Sequence, residues 1–410
     1  MTTTGKRFGL LAALGVLLLT AAGCWDIRYL DQMSVVTAMG MDAVPGTKDE
    51  IRLTVQVVQP STVSGSKQGA AGGTPVVTYT ETGRTVFEAV RKMSQMTSRR
   101  LFFAHNQALV ISEGLARRGI EDLFELIDRD PNFRIDFNVF IARNATAEQV
   151  LETMTPLDVI PANYIRDTMK TEERVWGGSY AVPVKDLINT MSATTQTPVV
   201  TSISIVGRKT EGGKKTNTEQ IKPSSMLKLG PMVLVKGGKM IGTLTLDQSR
   251  GLTWASDKMK NTVFRVDCKH AGSVVLEVKH SDTKQKAVFR NGVPAIELQV
   301  KIKAQIAEIR CKEYDVSSKR MLGELERKAN DYVEQTVRDT VDALQRRWKA
   351  DAIGFGRLIE QADPRYWRDH FRQWDVIYPK LPVHIDVKTV ITGTGVRGPT
   401  YLMQKERVNP

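Results

Sequence analysis

The chain has 410 residues and a formal net charge of +13. Its 41% hydrophobic and 25% charged residues fit a folded body with a sizeable core. Beyond the N-terminus no apolar run reaches the roughly eighteen residues that a membrane-crossing helix needs, which excludes a polytopic membrane protein. The basic excess permits attraction to anionic surfaces, phospholipid or nucleic acid, and equally serves plain solubility.

Residues 1–23 read as an export leader. Lys6 and Arg7 give the positive start, and Phe8 to Ala22 is an apolar run of 15 residues. That is short of the ~20 residues that span a bilayer and matches the apolar core of a signal peptide. The small residues of "AAG" then suit a signal peptidase. "AAGC", with Cys24 last, resembles the lipobox of bacterial lipoproteins; Ala21 stands where the usual lipobox has Leu, with Leu17, Leu18 and Leu19 just upstream. The resemblance implies that Cys24 becomes the first mature residue, carrying S-diacylglyceryl and N-acyl groups.

Strands are predicted at Met33 to Met41 and Ile51 to Val58. In the second, Ile51, Leu53, Val55 and Val57 alternate with Arg52, Thr54 and Gln56, one face of which should be wet. Pro60 to Pro75 is Gly/Ser-rich and reads as a flexible excursion. A strand and helix rhythm follows. "VVTYTET" and "NQALVIS" read as strands. "RTVFEAVRKMSQM" puts Val86, Val90 and Met93 on one helical face with Phe87 beside them. "GLARRGIEDLFELIDRD" reads as a helix broken at Gly119. Phe133, Ile135, Phe137, Val139 and Ile141 alternate as a strand, and Thr146 can cap a short helix three residues before Gln149. Helices interleaved with strands imply a sheet covered on one face by helices. The region from about residue 155 to 206 gives scattered signals, and Gly207 to Ser225 reads as an exposed basic loop whose Lys214 and Lys215 face anionic lipid or water.

The second domain is expected to start near Met226. Two apolar runs around "KGGK" signal a hairpin. "TVFRVDC", "SVVLEVKH" and "QKAVFRNG" continue the strands. Ile296, Leu298, Val300, Ile302, Ala304 and Ile306 then face one way along a long antiparallel-type strand, opposite Glu297, Gln299, Lys301, Lys303 and Gln305. A helix is predicted from about Ser318 to Lys349, with Leu322, Leu325, Ala329, Val333, Val337, Val341, Leu344 and Trp348 as its apolar stripe and Ser317 or Ser318 as cap. "LPVHIDVKTVIT" supplies a last strand. The expected fold class is α+β: mixed sheets flanked by helices in an N-terminal domain (24–198), a basic linker (199–225), an antiparallel sheet on a long helix in a C-terminal domain (226–398), and a tail (399–410).

No catalytic constellation emerges. His105, His270, His280, His370 and His384 lack paired metal spacing, and there is no G-x-S-x-G elbow or Walker loop. "GTGVRG" (Gly393 to Gly398) fits a dinucleotide fingerprint, but Pro399 follows and no helix can form to receive a phosphate. Cys268 and Cys311, 43 residues apart, either pair outside the cytoplasm or stay as separate thiols. In "PRYWRDHFRQWDVIYP", Trp367, Phe371 and Trp374 fall on one helical face with Arg365, Arg368 and Arg372 off it. A helix pinned to the core fits better than a base-stacking surface. No cofactor, metal or nucleic acid is expected.

"GCWDIRYLDQMSVVTAMGMD" resembles the start of the C-subunit lipoproteins of bacterial spore germinant receptors. There the acylated cysteine precedes Trp-Asp, Arg and Leu, and an apolar strand ending in Gly-x-Asp. The matching positions are Cys24, Trp25, Asp26, Arg28, Leu30, Gly40 and Asp42. The resemblance recurs in "TGRTVFEAVRKMS", in "RRLFFAHNQALVISEGLARRGIEDLFELIDRDPNFRIDFNVFIAR", in "KGGKMIGTLTLDQSRGLTW" and in "DAIGFGRLIEQADPRYWRDHFRQWDVIYPKLPVHIDVKTVITGTG". It thus covers nearly all of the exported chain in order, weakest at Pro60 to Pro75 and Ala162 to Ser225. It implies an α+β fold of three compact lobes and a non-enzymatic receptor subunit. That subunit would be lipid-anchored on the outer face of the spore inner membrane, beside multi-pass A and B subunits that together respond to small nutrients. The alternatives are a solute-binding or envelope-scaffold lipoprotein, the former needing a deep cleft of converging polar groups. An envelope enzyme would need an acid/base pair or a nucleophile, and none stands out.

Overall fold

The computed structural model describes residues 32–63, 73–193, 195–268, 272–311 and 318–393. Cys24, Trp25, Asp26, Arg28 and Leu30 lie outside the described residues, as do the leader, residues 64–72 of the Gly/Ser-rich stretch, Ser317, and all of "GTGVRG" and the tail except Gly393.

The first sheet has nine strands: β1 (Met33–Ala43), β2 (Ile51–Val58), β3 (Val76–Gly83), β4 (Arg100–Phe102), β5 (Ala108–Ser112), β6 (Asn138–Arg143), β7 (Val199–Gly207), β8 (Ser225–Lys236) and β9 (Lys239–Thr243). Their order is β3-β2-β1-β5-β6-β7-β8-β9, with β4 pairing beside the start of β1. β1, β5, β6 and β7 run parallel, and antiparallel strands close both edges. Parallel neighbours need crossovers, which are supplied by α1 (Val86–Lys92), α2 (Glu113–Arg118), α3 (Glu125–Arg129), α4 (Ala147–Glu152), α5 (Pro161–Val175) and α6 (Val184–Ser192).

These helices cover both faces of the sheet, not one. Val86, Leu115, Ile127 and Leu187 pack on one side; Val150, Leu151, Ile165 and Met169 pack on the other. The parallel core forces this: β5, "ALVIS", is buried at every position, as strands between two helical layers must be. For the same reason the face of β2 expected to be wet is dry at Thr54 and Gln56. Gln56 donates to Leu151 O at 2.7 Å and accepts from Thr37 Oγ1 at 3.1 Å and from Ala162 N at 3.3 Å. The alternation from Phe133 overreached, since strand pairing begins only at Asn138; Phe133 and Phe137 are buried in the preceding loop.

The basic linker expected at 199–225 is in its first part β7, an interior strand with Val199, Val200, Ile203 and Ile205 buried. The hairpin at "KGGK" is present, with Gly237 and Gly238 at positive φ of 54° and 66°. It bonds to β7 and extends the first sheet, which therefore runs across residue 226.

The second sheet follows α7 (Leu246–Ala255). It comprises β10 (Thr262–Asp267), β11 (Ser273–Arg290), β12 (Val293–Ile309) and β13 (Val383–Gly393), in that order. The two strands expected at 273–290 are one bulged strand. β12 buries its apolar face as predicted. The sheet is not wholly antiparallel, because β13 lies parallel to β12. The connection between them contains α8 (Lys319–Asp342), α9 (Phe355–Ala362), α10 (Pro364–His370) and α11 (Trp374–Ile377), a crossover long enough to reverse the chain. The predicted stripe on α8 is buried from Leu325 to Val341, and Leu344 lies in a π-helical turn that ends the helix at Trp348. Ser318 makes no side-chain cap.

α7 joins the two sheets. Its start is a capping box between Thr245 and Gln248, and Ser249 Oγ accepts from Met232 N of the first sheet at 2.9 Å. Gly251 lies so close to α8 that a Cβ would collide with Thr340 Oγ1. Trp254 is fully buried, edge-on to Phe264 of β10, which stacks on Tyr332 of α8 at 4.8 Å. Cys268, after β10, and Cys311, after β12, are joined as a disulfide with their Cα atoms 6.3 Å apart. Replacing both by serine is expected to lower the unfolding free energy by about 4 kcal/mol, the loop-closure value for this span. Urea denaturation under oxidising conditions checks it, and an unchanged midpoint would contradict it.

Candidate functional site: two buried carboxylates and the first strand

β1 is the first described strand and starts nine residues after Cys24. It is hydrogen-bonded to β2, β4 and β5. Whatever holds the N-terminal segment therefore pulls on the interior of the larger sheet.

The far end of β1 carries the Gly40-x-Asp42 pair. Asp42 is 4% exposed, and its two carboxylate oxygens accept from Ala147 N at 2.8 Å and Glu148 N at 3.0 Å. These are orphan donors at the start of α4, where a negative charge is favoured. Burial nevertheless pushes the Asp42 carboxyl up from its ordinary value, against the pull of those two N–H groups and Ser112. Gly40 faces the same helix; a Cβ there would meet Ala147 Cβ at 3.1 Å. One residue of the pair lets α4 approach β1, and the other fastens it.

The second domain repeats the device. Asp351 is 4% exposed and accepts from Gly354 N and Phe355 N at 2.9 Å and from Gly356 N at 2.7 Å, capping α9. Burial pushes it up to about 6. Gly354 takes φ +90°, and Gly356 leaves room for the Trp367 ring. The aromatic helix is pinned as predicted: Trp367 and Trp374 are buried edge-to-face at 5.2 Å, while Arg365, Arg368 and Arg372 are exposed. Lys236 of β8 donates to Lys349 O and Asp375 Oδ1, both at 2.7 Å, tying the first sheet's hairpin to this cluster. No sequence pattern announced Asp351, although the Gly354 and Gly356 that follow it are a signal for a capped, closely packed helix start.

A half-buried acid, Glu172 near the end of α5, is pushed up to about 7 by desolvation, against Ser179 and Gly178 N. Among the described residues no group of three His, Cys, Asp or Glu side chains converges as a metal site. His370 stacks on Tyr366, with Nδ1 2.8 Å from Tyr366 O. A polar cleft of about 400 Å³ lies between α6, the end of α7, β11 and α9, lined among others by Asp186, Asn189, Gln196, Lys258, Gln285 and Arg357. In the basic loop Lys214 and Lys215 pair with Glu211 and Glu219 at 2.9 and 3.5 Å.

Fold and site define an α+β protein of two sheets bridged by one helix pair, whose two most buried aspartates serve as helix caps. The chain belongs to the family of spore germination proteins. Residues 26–205 match the spore germination protein N-terminal domain, and residues 230–395 match the spore germination B3/GerAC-like C-terminal domain. It is 32% identical over 395 residues to spore germination protein KC of Bacillus subtilis (strain 168), covering 95% of this chain and 96% of that one. To spore germination protein B3 of the same organism it is 26% identical over 385 residues, covering 93% and 96%. The crystal structure of the GerBC protein has the same fold, with a TM-score of 0.55 at 22% identity over 90% of this chain and 100% of that one.

The carboxylates set a pH dependence. Asp351, raised from 3.8 to about 6, binds its proton more tightly folded than unfolded. Its contribution to stability is complete below about pH 4 and is lost as the pH rises through 6. Asp42 and Glu172, both raised, act with the same sign. Stability in urea melts is therefore expected to fall between about pH 4 and pH 7. Asp351→Asn, which removes one titration, should flatten that fall; identical slopes in variant and parent would refute the role of Asp351.

Proposed function

We propose that this chain is the C subunit of a nutrient germinant receptor. Acyl chains on Cys24 hold it on the outer face of the spore inner membrane, and it assembles there with multi-pass A and B subunits. The observation that carries this reading is membership of the spore germination family over both matched domains, 26–205 and 230–395, directly after the lipobox-like "AAGC". Among the described residues no helix is long and apolar enough to cross a membrane. The strand that follows Cys24 is an interior strand, able to transmit a pull without unfolding an edge.

Two or more acyl chains at ~0.8 kcal/mol per buried CH₂ hold a protein stably on a membrane. Cys24→Ala is expected to move the protein from the membrane fraction of spores to the soluble fraction, and affinity purification of the parent from spore membranes to bring down two multi-pass subunits. A variant that still sediments with membranes sinks the anchor; a parent that comes down alone sinks the complex.

The cleft between α6 and α9 favours a second reading, in which the subunit itself captures a small polar solute. Isothermal calorimetry with single amino acids and sugars is expected to give saturable heat that Arg357→Ala abolishes, if that reading holds. Flat titrations across the panel remove it.

A further inference from the structure

A groove of about 310 Å³ opens beside Met33, where β1 begins. β4 forms one wall, paired in parallel register with it, Met33 to Arg100 and Val35 to Phe102. α1 and the turn after it form the other. Three arginines line it: Arg91, Arg99 and Arg100. None of them has an ion pair among the described residues, whereas neighbouring Lys92 is paired with Glu88 at 2.8 Å. Among the described residues the one carboxylate lining the groove, Asp130, accepts from Asn132 N and Nδ2 at 2.9 and 2.5 Å.

The rim is apolar as well as basic. Phe87 is 47% exposed, with the Arg91 guanidinium lying 4.7 Å over its ring, and Met96 is 46% exposed in the turn after α1. Exposed arginines that lack an ion pair among the described residues, beside exposed aromatic and thioether side chains, are the chemistry of an interfacial contact with anionic lipid.

Position supplies the second argument, and it rests on the anchoring reading above. Met33 is the ninth residue after Cys24, and an extended chain of that length reaches roughly 30 Å. A compact chain of this size is on the order of 50 Å across. The Met33 end of the larger sheet is therefore the end that faces the bilayer. The other basic segment leaves the far end of β7, which runs parallel to β1, and two of its lysines are already paired.

We propose that the groove formed by Arg91, Arg99 and Arg100 beside Met33 docks on anionic phospholipid headgroups, with Phe87 and Met96 entering the interface. Docking fixes the orientation of the body on the membrane.

The test uses the purified, acylated full-length mature chain. Met96→Cys is labelled with an environment-sensitive fluorophore; acylation of Cys24 and the Cys268–Cys311 disulfide leave it the reactive thiol. The probe is read on vesicles containing a lipid with a nitroxide near its headgroup. One set is phosphatidylcholine alone, and in the other about a third of the lipid is phosphatidylglycerol. Quenching is expected only on the anionic vesicles, and to be relieved by salt without release of the protein. Each Arg→Gln change at 91, 99 or 100 should lower the docked-to-undocked ratio about fivefold, while Arg→Lys at the same positions retains docking. A label at Ile221→Cys, in the other basic loop, should stay unquenched. Binding to both vesicle types without quenching at Met96→Cys, or equal quenching at both labels, overturns the docking proposal and leaves the anchor standing. Quenching on anionic vesicles with no retention on phosphatidylcholine upholds docking and overturns the anchor. Failure to bind either vesicle overturns both.

Discussion

The constraint on which the rest of this structure depends is the placement of β1 in the interior of the larger sheet. Its backbone is paired to β2, β4 and β5, and its side chains face helices on both sides. Its start fixes the point at which the chain enters the sheet. Its end, at Asp42, fixes where α4 begins. A buried carboxylate that accepts two backbone N–H groups is tolerated because it replaces solvation that those donors and the acid would both lose.

Asp351 plays the same part in the second domain, beneath a roof of Trp374 and Tyr378 and next to the Lys236 tie. Both acids are raised by burial, so both domains trade some stability near neutrality for rigidly set helix origins. The helix pair α7 and α8 then makes one body of the two sheets. Gly251 permits the approach, Trp254 and Phe264 fill the space, and one apolar cluster runs from β1 through α7 to β12. A displacement at one sheet is thus felt at the other, since close-packed interiors transmit strain.

Legibility followed the periodicity of the residues. β12, with six apolar residues in strict alternation, and α8, with a stripe stepping by three and four, were readable because each has one wet face. The helix break at Gly119 and the Thr146–Gln149 cap were readable because their chemistry is local. β7 escaped because it is covered on both sides, and α5 and α6 because each buries only a few residues on one face amid mixed signals. β2 was misread on one face: Gln56 looks like a solvent residue but spends its amide on three buried partners. The motif pair Gly40 and Asp42 was visible, yet its reason lies 105 residues away at Ala147.

By itself the sequence determined the α+β class, the hairpin at "KGGK" and the long helix, all properties of neighbouring residues. It also carried the family's motifs, which composition could not have supplied. Only the tertiary structure decided that helices cover both faces of the first sheet, that this sheet continues through the hairpin to Thr243, that β13 runs parallel to β12, and that Cys268 meets Cys311. It alone placed three arginines, without an ion pair among the described residues, and an exposed Phe87 beside Met33. The physical reason is the same in each case. Strand partners, covered faces and converging side chains depend on contacts between residues far apart in the chain, and no local pattern encodes which distant surface will arrive.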